Sequence, residues 1–149
     1  MEPAVLFKLA NLIAMLGWVA MIILHDRPIT YRLIFNGIIL LLSLFYASAI
    51  AWSFSEPQGQ GDFSSLEGVM ALFTNPKSVL AGWVHYLAFD MMMGLLMIHV
   101  SARHGVNRFV LLPVLFFTFM FGPVGLLILY GLLMYKQNTF FPAIFTSSK

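Results

Sequence analysis

Val79-Leu80-Ala81-Gly82-Trp83-Val84-His85-Tyr86-Leu87-Ala88-Phe89-Asp90-Met91-Met92-Met93-Gly94-Leu95-Leu96-Met97-Ile98 contains a single formally charged side chain, Asp90. A helix needs about 20 apolar residues to cross a hydrocarbon core of about 30 Å, and this run has that length. Working outward, three further runs read the same way: Leu9–Leu24, Leu33–Trp52 and Phe109–Tyr135. None alternates apolar and polar residues as a membrane barrel strand does. An unpaired backbone group in lipid costs several kcal/mol, so all four runs are read as helices. The expected fold class is an all-α integral membrane protein. It is a single domain over 1–149, a four-helix transmembrane bundle with spans near 5–24, 33–54, 77–100 and 109–135.

Composition agrees with lipid as the solvent. The 149 residues are 60% hydrophobic and 9% charged, against about 45–50% and about 25% in ordinary soluble domains. Eight basic and six acidic side chains are too few to coat a globule of this size. The net charge of +2 is scattered between apolar runs rather than gathered on one face, which excludes nucleic acid as a partner. The absence of cysteine removes disulfides, thiolate metal sites and cysteine nucleophiles. His25-Asp26-Arg27-Pro28 follows the first run without a small-residue cleavage site, so that run is read as a retained span. No transit peptide precedes it, and the expected location is a bacterial cytoplasmic membrane, multi-pass.

The first and third connections carry Arg27, Arg32, Arg103 and Arg108. The positive-inside rule puts these loops in the cytoplasm and, with four spans, both termini on the other side. Lys8, Lys77, Lys136 and Lys149 then lie opposite the arginines, four against four. Between the second and third runs, the turn-rich 55–62 precedes a short apolar segment near 63–73, read as an interfacial helix. Ser64-Ser65-Leu66-Glu67 fits a capping box. Asn75-Pro76 fits an N-cap and first helical residue.

Asp90 lies roughly 16 Å into its span, close to the bilayer midplane. A central aspartate costs about 2.5–3.5 kcal/mol on insertion scales, so such residues face the bundle interior and mark a site. The plainer alternative is a protonated carboxyl bonding a neighbouring helix. Tyr86, four residues away, shares its face, and Trp83, Gly94 and Met97 extend that stripe. His85 stands about 140° around the helix from Asp90 and aligns with Phe89, Met92 and His99. Two ligands at that spacing do not make a metal site, although Glu67 and Asn75 lie near enough in sequence to fold back toward them. His85 and His99, about 21 Å apart on one helix, do not share a haem iron.

Phe121-Gly122-Pro123-Val124-Gly125 interrupts the fourth run. Proline there frees the Phe119 carbonyl and bends the helix opposite Asp90. Trp83, Asn75, Gly94, Met97, Phe119 and Pro123 are the expected lining of a cavity beside the carboxyl. Ten methionines and fifteen phenylalanines suit a long apolar ligand, and serve equally as core filling. Phosphate loops, nucleophile elbows and dinucleotide fingerprints are absent from the sequence. General acid–base chemistry at Asp90, with Tyr86 or His85 as partner, is what the residues leave open.

The run from Phe63 to Phe73, followed by Asn75-Pro76-Lys77 and Trp83-Val84-His85-Tyr86-Leu87-Ala88-Phe89-Asp90, resembles the abscisic-acid-deficient-four-like family of small membrane proteins. Ala102-Arg103-His104-Gly105 and Phe121-Gly122-Pro123-Val124-Gly125-Leu126-Leu127 fit the same pattern. Plant members of that family are associated with neoxanthin synthesis. The resemblance implies an intramembrane isomerase that opens a carotenoid epoxide to an allene, redox-neutral and without a cofactor. Such chemistry wants an acid at the epoxide oxygen and a base at the neighbouring carbon. Asp90 and His85 are assigned these roles, with Tyr86 and Glu67 in support. The expected partners are the lipid bilayer and a carotenoid or other isoprenoid. Small-residue patches are compatible with a homo-oligomer. A non-catalytic module that binds a pigment or a partner enzyme is the alternative.

Overall fold

The structure, a computed structural model, describes residues 2–55 and 61–145 and has no β-strand among them. Six helices follow in order: α1 (Pro3–Leu24), α2 (Pro28–Phe54), α3 (Leu66–Leu72), α4 (Pro76–Arg103), α5 (Arg108–Phe121) and α6 (Pro123–Gln137). α1, α2 and α4 are long and apolar enough to cross a membrane. The most apolar stretch of α4 is 44% buried, against 28% for α1 and 22% for α2, which makes α4 the centre of the bundle. It packs against α2, α1 and α5. Met91, Met97, Ile98 and Val84 of α4 meet Met21 of α1, Leu42 of α2 and Leu111 and Leu115 of α5 in one apolar core.

Ring contacts fix the helix directions. Phe7 packs on Trp83 and Gly94 lies under Trp18, so α1 runs parallel to α4. Tyr31 meets His99 while Tyr46 meets His85, so α2 runs antiparallel to α4. One end of the bundle therefore carries Asn75 and the end of α2, and the other carries His25 and His104. Proline opens α1, α2, α4 and α6, where its missing N–H costs nothing. α2 is π-helical over Arg32–Ile39.

The expected fourth span is instead two helices. Gly122 takes φ +41°, ψ −89°, far from helical values, and its N–H closes α5 by bonding the Thr118 carbonyl at 2.8 Å. Pro123 then starts α6 as a new helix. The chain doubles back: a Cβ on Gly125 would stand 1.9 Å from Thr118 Oγ1, seven residues earlier, so only glycine permits the crossing. At the far end Lys136 Nζ donates to the Gly105 carbonyl at 3.0 Å, and Gln137 meets His104. α5 and α6 thus form a helical hairpin that enters and leaves at the His104 end. The reason is local: a left-handed glycine beside proline reverses the chain, where proline alone only kinks a helix.

Two expectations are corrected by this hairpin. With three long helices and one hairpin, the two ends of the described chain lie at opposite ends of the bundle, not together. Arg27, Arg32, Arg103, Arg108 and Lys136 then share the His104 end against Lys8 and Lys77 at the other. The capping box is shifted as well. Ser65, not Ser64, is the N-cap of α3 and accepts from Gly68 N at 3.0 Å, leaving Glu67 exposed in the first turn. Asp62 organises the entry by accepting from the Ser64 amide and hydroxyl, each at 2.7 Å. These bonds, the hydroxyl's first, hold its carboxyl below the usual carboxylate range. Asn75 caps α4 as expected, accepting from Lys77 N at 2.8 Å. Residues 56–60 of the expected linker lie outside the described residues.

Candidate functional site at the hairpin tip

α4 holds Asp90 near its midpoint, about 21 Å from Pro76. The tip of the α5–α6 hairpin reaches the same level. A Cβ built on Gly122 would stand 2.7 Å from Asp90 Oδ1. Gly122 is also the N-cap of α6, so the positive end of that helix's dipole faces the carboxyl. Asp90 Oδ2 is buried and has no hydrogen-bond partner among the described residues. A buried, unsatisfied carboxyl oxygen is costly, and such groups are concentrated where a protein uses them.

Tyr86 lies one turn before Asp90 and within electrostatic reach of it. Its hydroxyl points at the carbonyls of Phe119 and Met120, at 3.4 and 3.3 Å. These are the carbonyls that the break at Gly122 leaves without helical partners. Trp83 continues the stripe, its ring tilted at 39° against Tyr86 at 5.5 Å and its indole nitrogen donating to Asn11 Oδ1 at 3.1 Å. Gly94 admits the Trp18 ring, since a Cβ there would meet it at 2.6 Å. Met97 accepts from the Thr118 hydroxyl at 3.1 Å. Phe119 packs edge-on against Trp18 and lines, with Met15, Val19 and Phe116, a lipid-side groove of about 140 Å³ between α1 and α5. The stripe read from the sequence as Trp83, Tyr86, Asp90, Gly94 and Met97 thus faces α1 and the hairpin.

His85 is not brought to Asp90. It faces α2, stacked on Phe89 at 4.5 Å and beside Tyr46 at 5.4 Å. There it lines a separate cavity of about 290 Å³, walled by Phe54, Phe63 and Phe73 and floored by the Ser53–Ser78 hydroxyl pair, 2.8 Å apart. Glu67 stands exposed on α3, and Asn75 is occupied as a cap at the start of α4. Pro123 marks the tip as the first residue of α6. Among the described residues no three His, Asp or Glu side chains converge as metal ligands.

Asn11 and Thr118 went unnoticed in the sequence as parts of this region. Asn11 and Thr118 carry the same signal as Asp90, a polar group inside an apolar run, in weaker form. Gly122 stood within a quoted motif as a companion to proline, whereas its own backbone conformation builds the tip.

A family model described as ABA DEFICIENT 4-like matches residues 5–129, from the first turn of α1 through the hairpin tip and into α6. No curated protein and no solved structure matches the chain.

Proposed function

The chain belongs to the ABA DEFICIENT 4-like family, and from that premise we propose that it is a multi-pass membrane isomerase of a carotenoid or related isoprenoid lipid. Family membership supports a membrane protein of the carotenoid and abscisic-acid pathway type. The chemistry rests on one observation, the buried and unpartnered Oδ2 of Asp90 beside Tyr86 at the hairpin tip.

In this reading Asp90 and Tyr86 exchange protons with the substrate. One gives a proton to the epoxide oxygen as its C–O bond breaks, and the other takes the proton from the neighbouring chain carbon. The electron pair of that C–H bond becomes the new double bond of the allene. Nothing is oxidised or reduced, and a proton passing between the two side chains resets the site. The lipid-side groove at Phe119 and Trp18 gives an apolar chain an approach from the bilayer. The basic His104 end faces the cytoplasm under the positive-inside rule, and α3 lies at the opposite interface.

The test is reconstitution of the full chain in liposomes containing a 5,6-epoxycarotenoid. The reading expects a product of unchanged mass that carries an allene. Recovery of the epoxide alone, from this and other epoxidised isoprenoids, contradicts it. A second reading, a non-catalytic pigment-binding module, is favoured by the aromatic cavity of about 290 Å³ at His85, whose lining does not include Asp90. It predicts a stoichiometric apolar ligand and no conversion.

A further inference from the structure

At the His104 end, three polar side chains on the lipid-facing seam between α2 and α4 make no hydrogen bond or ion pair among the described residues: Arg32, Asn36 and His99, all exposed. An uncovered amide or guanidinium facing lipid is costly, so a polar partner is expected to meet them. Arg32 and Asn36 lie within the π-helical segment of α2, a type of irregularity frequent at functional sites.

Arg32 and Asn36 line a groove of about 250 Å³ with Tyr31, Phe35 and Leu95. A second groove of about 250 Å³ shares Tyr31, Phe35 and Leu95 and continues past Met92 and Leu96 to His99. The two adjoin across Tyr31, Phe35 and Leu95, and this paired channel offers a cation in one part and apolar walls in the other. Arg32 is the fifth residue of α2, roughly 6 Å along the helix from Pro28, and Asn36 is one turn deeper. The Asp26 carboxylate accepts from the Tyr31 hydroxyl and forms no ion pair with Arg32.

We propose that this channel is a binding site for one anionic phospholipid. Its phosphate pairs with Arg32, its ester carbonyls meet the Asn36 amide and the His99 ring, and an acyl chain lies over Phe35, Met92 and Leu96. Charge complementarity carries the choice of occupant. The site lies at the end of the bundle that holds five of the seven described basic residues, and such basic pockets between helices suit acidic headgroups.

The test uses the full chain in nanodiscs of equal phosphatidylglycerol and phosphatidylcholine, released and weighed by native mass spectrometry. The proposal expects one retained phosphatidylglycerol per chain in preference to phosphatidylcholine. Arg32→Gln lowers that preference about fivefold, as removal of one basic residue from an acidic headgroup predicts. Asn36→Leu lowers it as well, whereas Arg32→Lys and Arg27→Gln, outside the channel, leave it in place. All three positions are exposed, and helical circular dichroism confirms that each variant is folded. Equal retention of the two lipids, or an unchanged preference in both Arg32→Gln and Asn36→Leu, overturns it. So does displacement of the lipid by inorganic phosphate alone, which would make the site one for a free anion.

Discussion

Gly122 stands so close to Asp90 that a single added Cβ would lie 2.7 Å from the carboxyl's Oδ1. Two constraints meet at this residue: a φ of +41°, which only glycine adopts cheaply, and direct contact with the one charged group at the centre of α4. The hairpin is thereby locked in register with the carboxyl.

Gly122→Ala therefore strains the tip twice. A non-glycine residue in a sparsely populated backbone region costs about 1–3 kcal/mol, before the clash with Asp90 is counted. Thermal unfolding in detergent should show a clear loss of stability. Gly131→Ala, on α6 with open space around its Cβ, should leave stability nearly unchanged or slightly raised.

Tyr86→Phe removes a hydroxyl and keeps the ring that packs on Trp83. If Tyr86 is the proton partner of Asp90, turnover falls by about 10²–10⁴-fold, the range for a positioned acid or base. His85→Phe preserves an aromatic wall in the separate cavity and should change turnover far less. Comparable losses in the two variants would return His85 to the reacting centre.

Chain topology distinguishes the hairpin from a fourth crossing. The chain has no cysteine, so single cysteines report side without background. Arg27→Cys and Tyr135→Cys should react with an impermeant maleimide from one face of a sealed vesicle, and Phe63→Cys from the other. Tyr135→Cys labelled with Phe63→Cys would restore the continuous fourth span.

His25 closes α1 with φ +51°, next to Arg108, which caps the carbonyls of Ile22 and Ile23 at 2.6 and 3.1 Å. Burial lowers its pKa from 6.5, and the Arg108 guanidinium adds to this, against a smaller opposite pull from Asp26. The folded state thus binds protons less readily than the unfolded chain. Stability is full above about 6.5, the ordinary imidazole value, and declines as pH falls from there through the lowered folded pKa. His25→Asn tolerates the positive φ and removes the titration. A melting temperature that falls across this window in the parent and not in the variant bears out the coupling.

Much of this was legible in the sequence, and the parts that were not have a common cause. Helical period alone separates Asp90, Tyr86, Trp83, Gly94 and Met97 from His85, Phe89, Met92 and His99, and the two stripes face different neighbours in the structure. Asn75 as a cap follows from residue type. The reversal at Gly122 does not, because Gly-Pro inside a long apolar run is compatible with a kink and with a turn. The choice is made by tertiary contacts, Gly125 on Thr118 and Lys136 on Gly105, that no local pattern encodes. Ser65 displaced Ser64 as cap for a similar reason, since Asp62 had already claimed the Ser64 amide and hydroxyl.

The most direct measurement compares the apolar molecules that copurify with the parent protein and with Asp90→Asn, by extraction, chromatography and mass spectrometry. The account predicts an isoprenoid enriched with both folded proteins. Its isomer ratio shifts toward unconverted substrate in the variant. The same isoprenoid in the same isomer ratio from both, or ordinary phospholipid alone, would contradict proton transfer at Asp90.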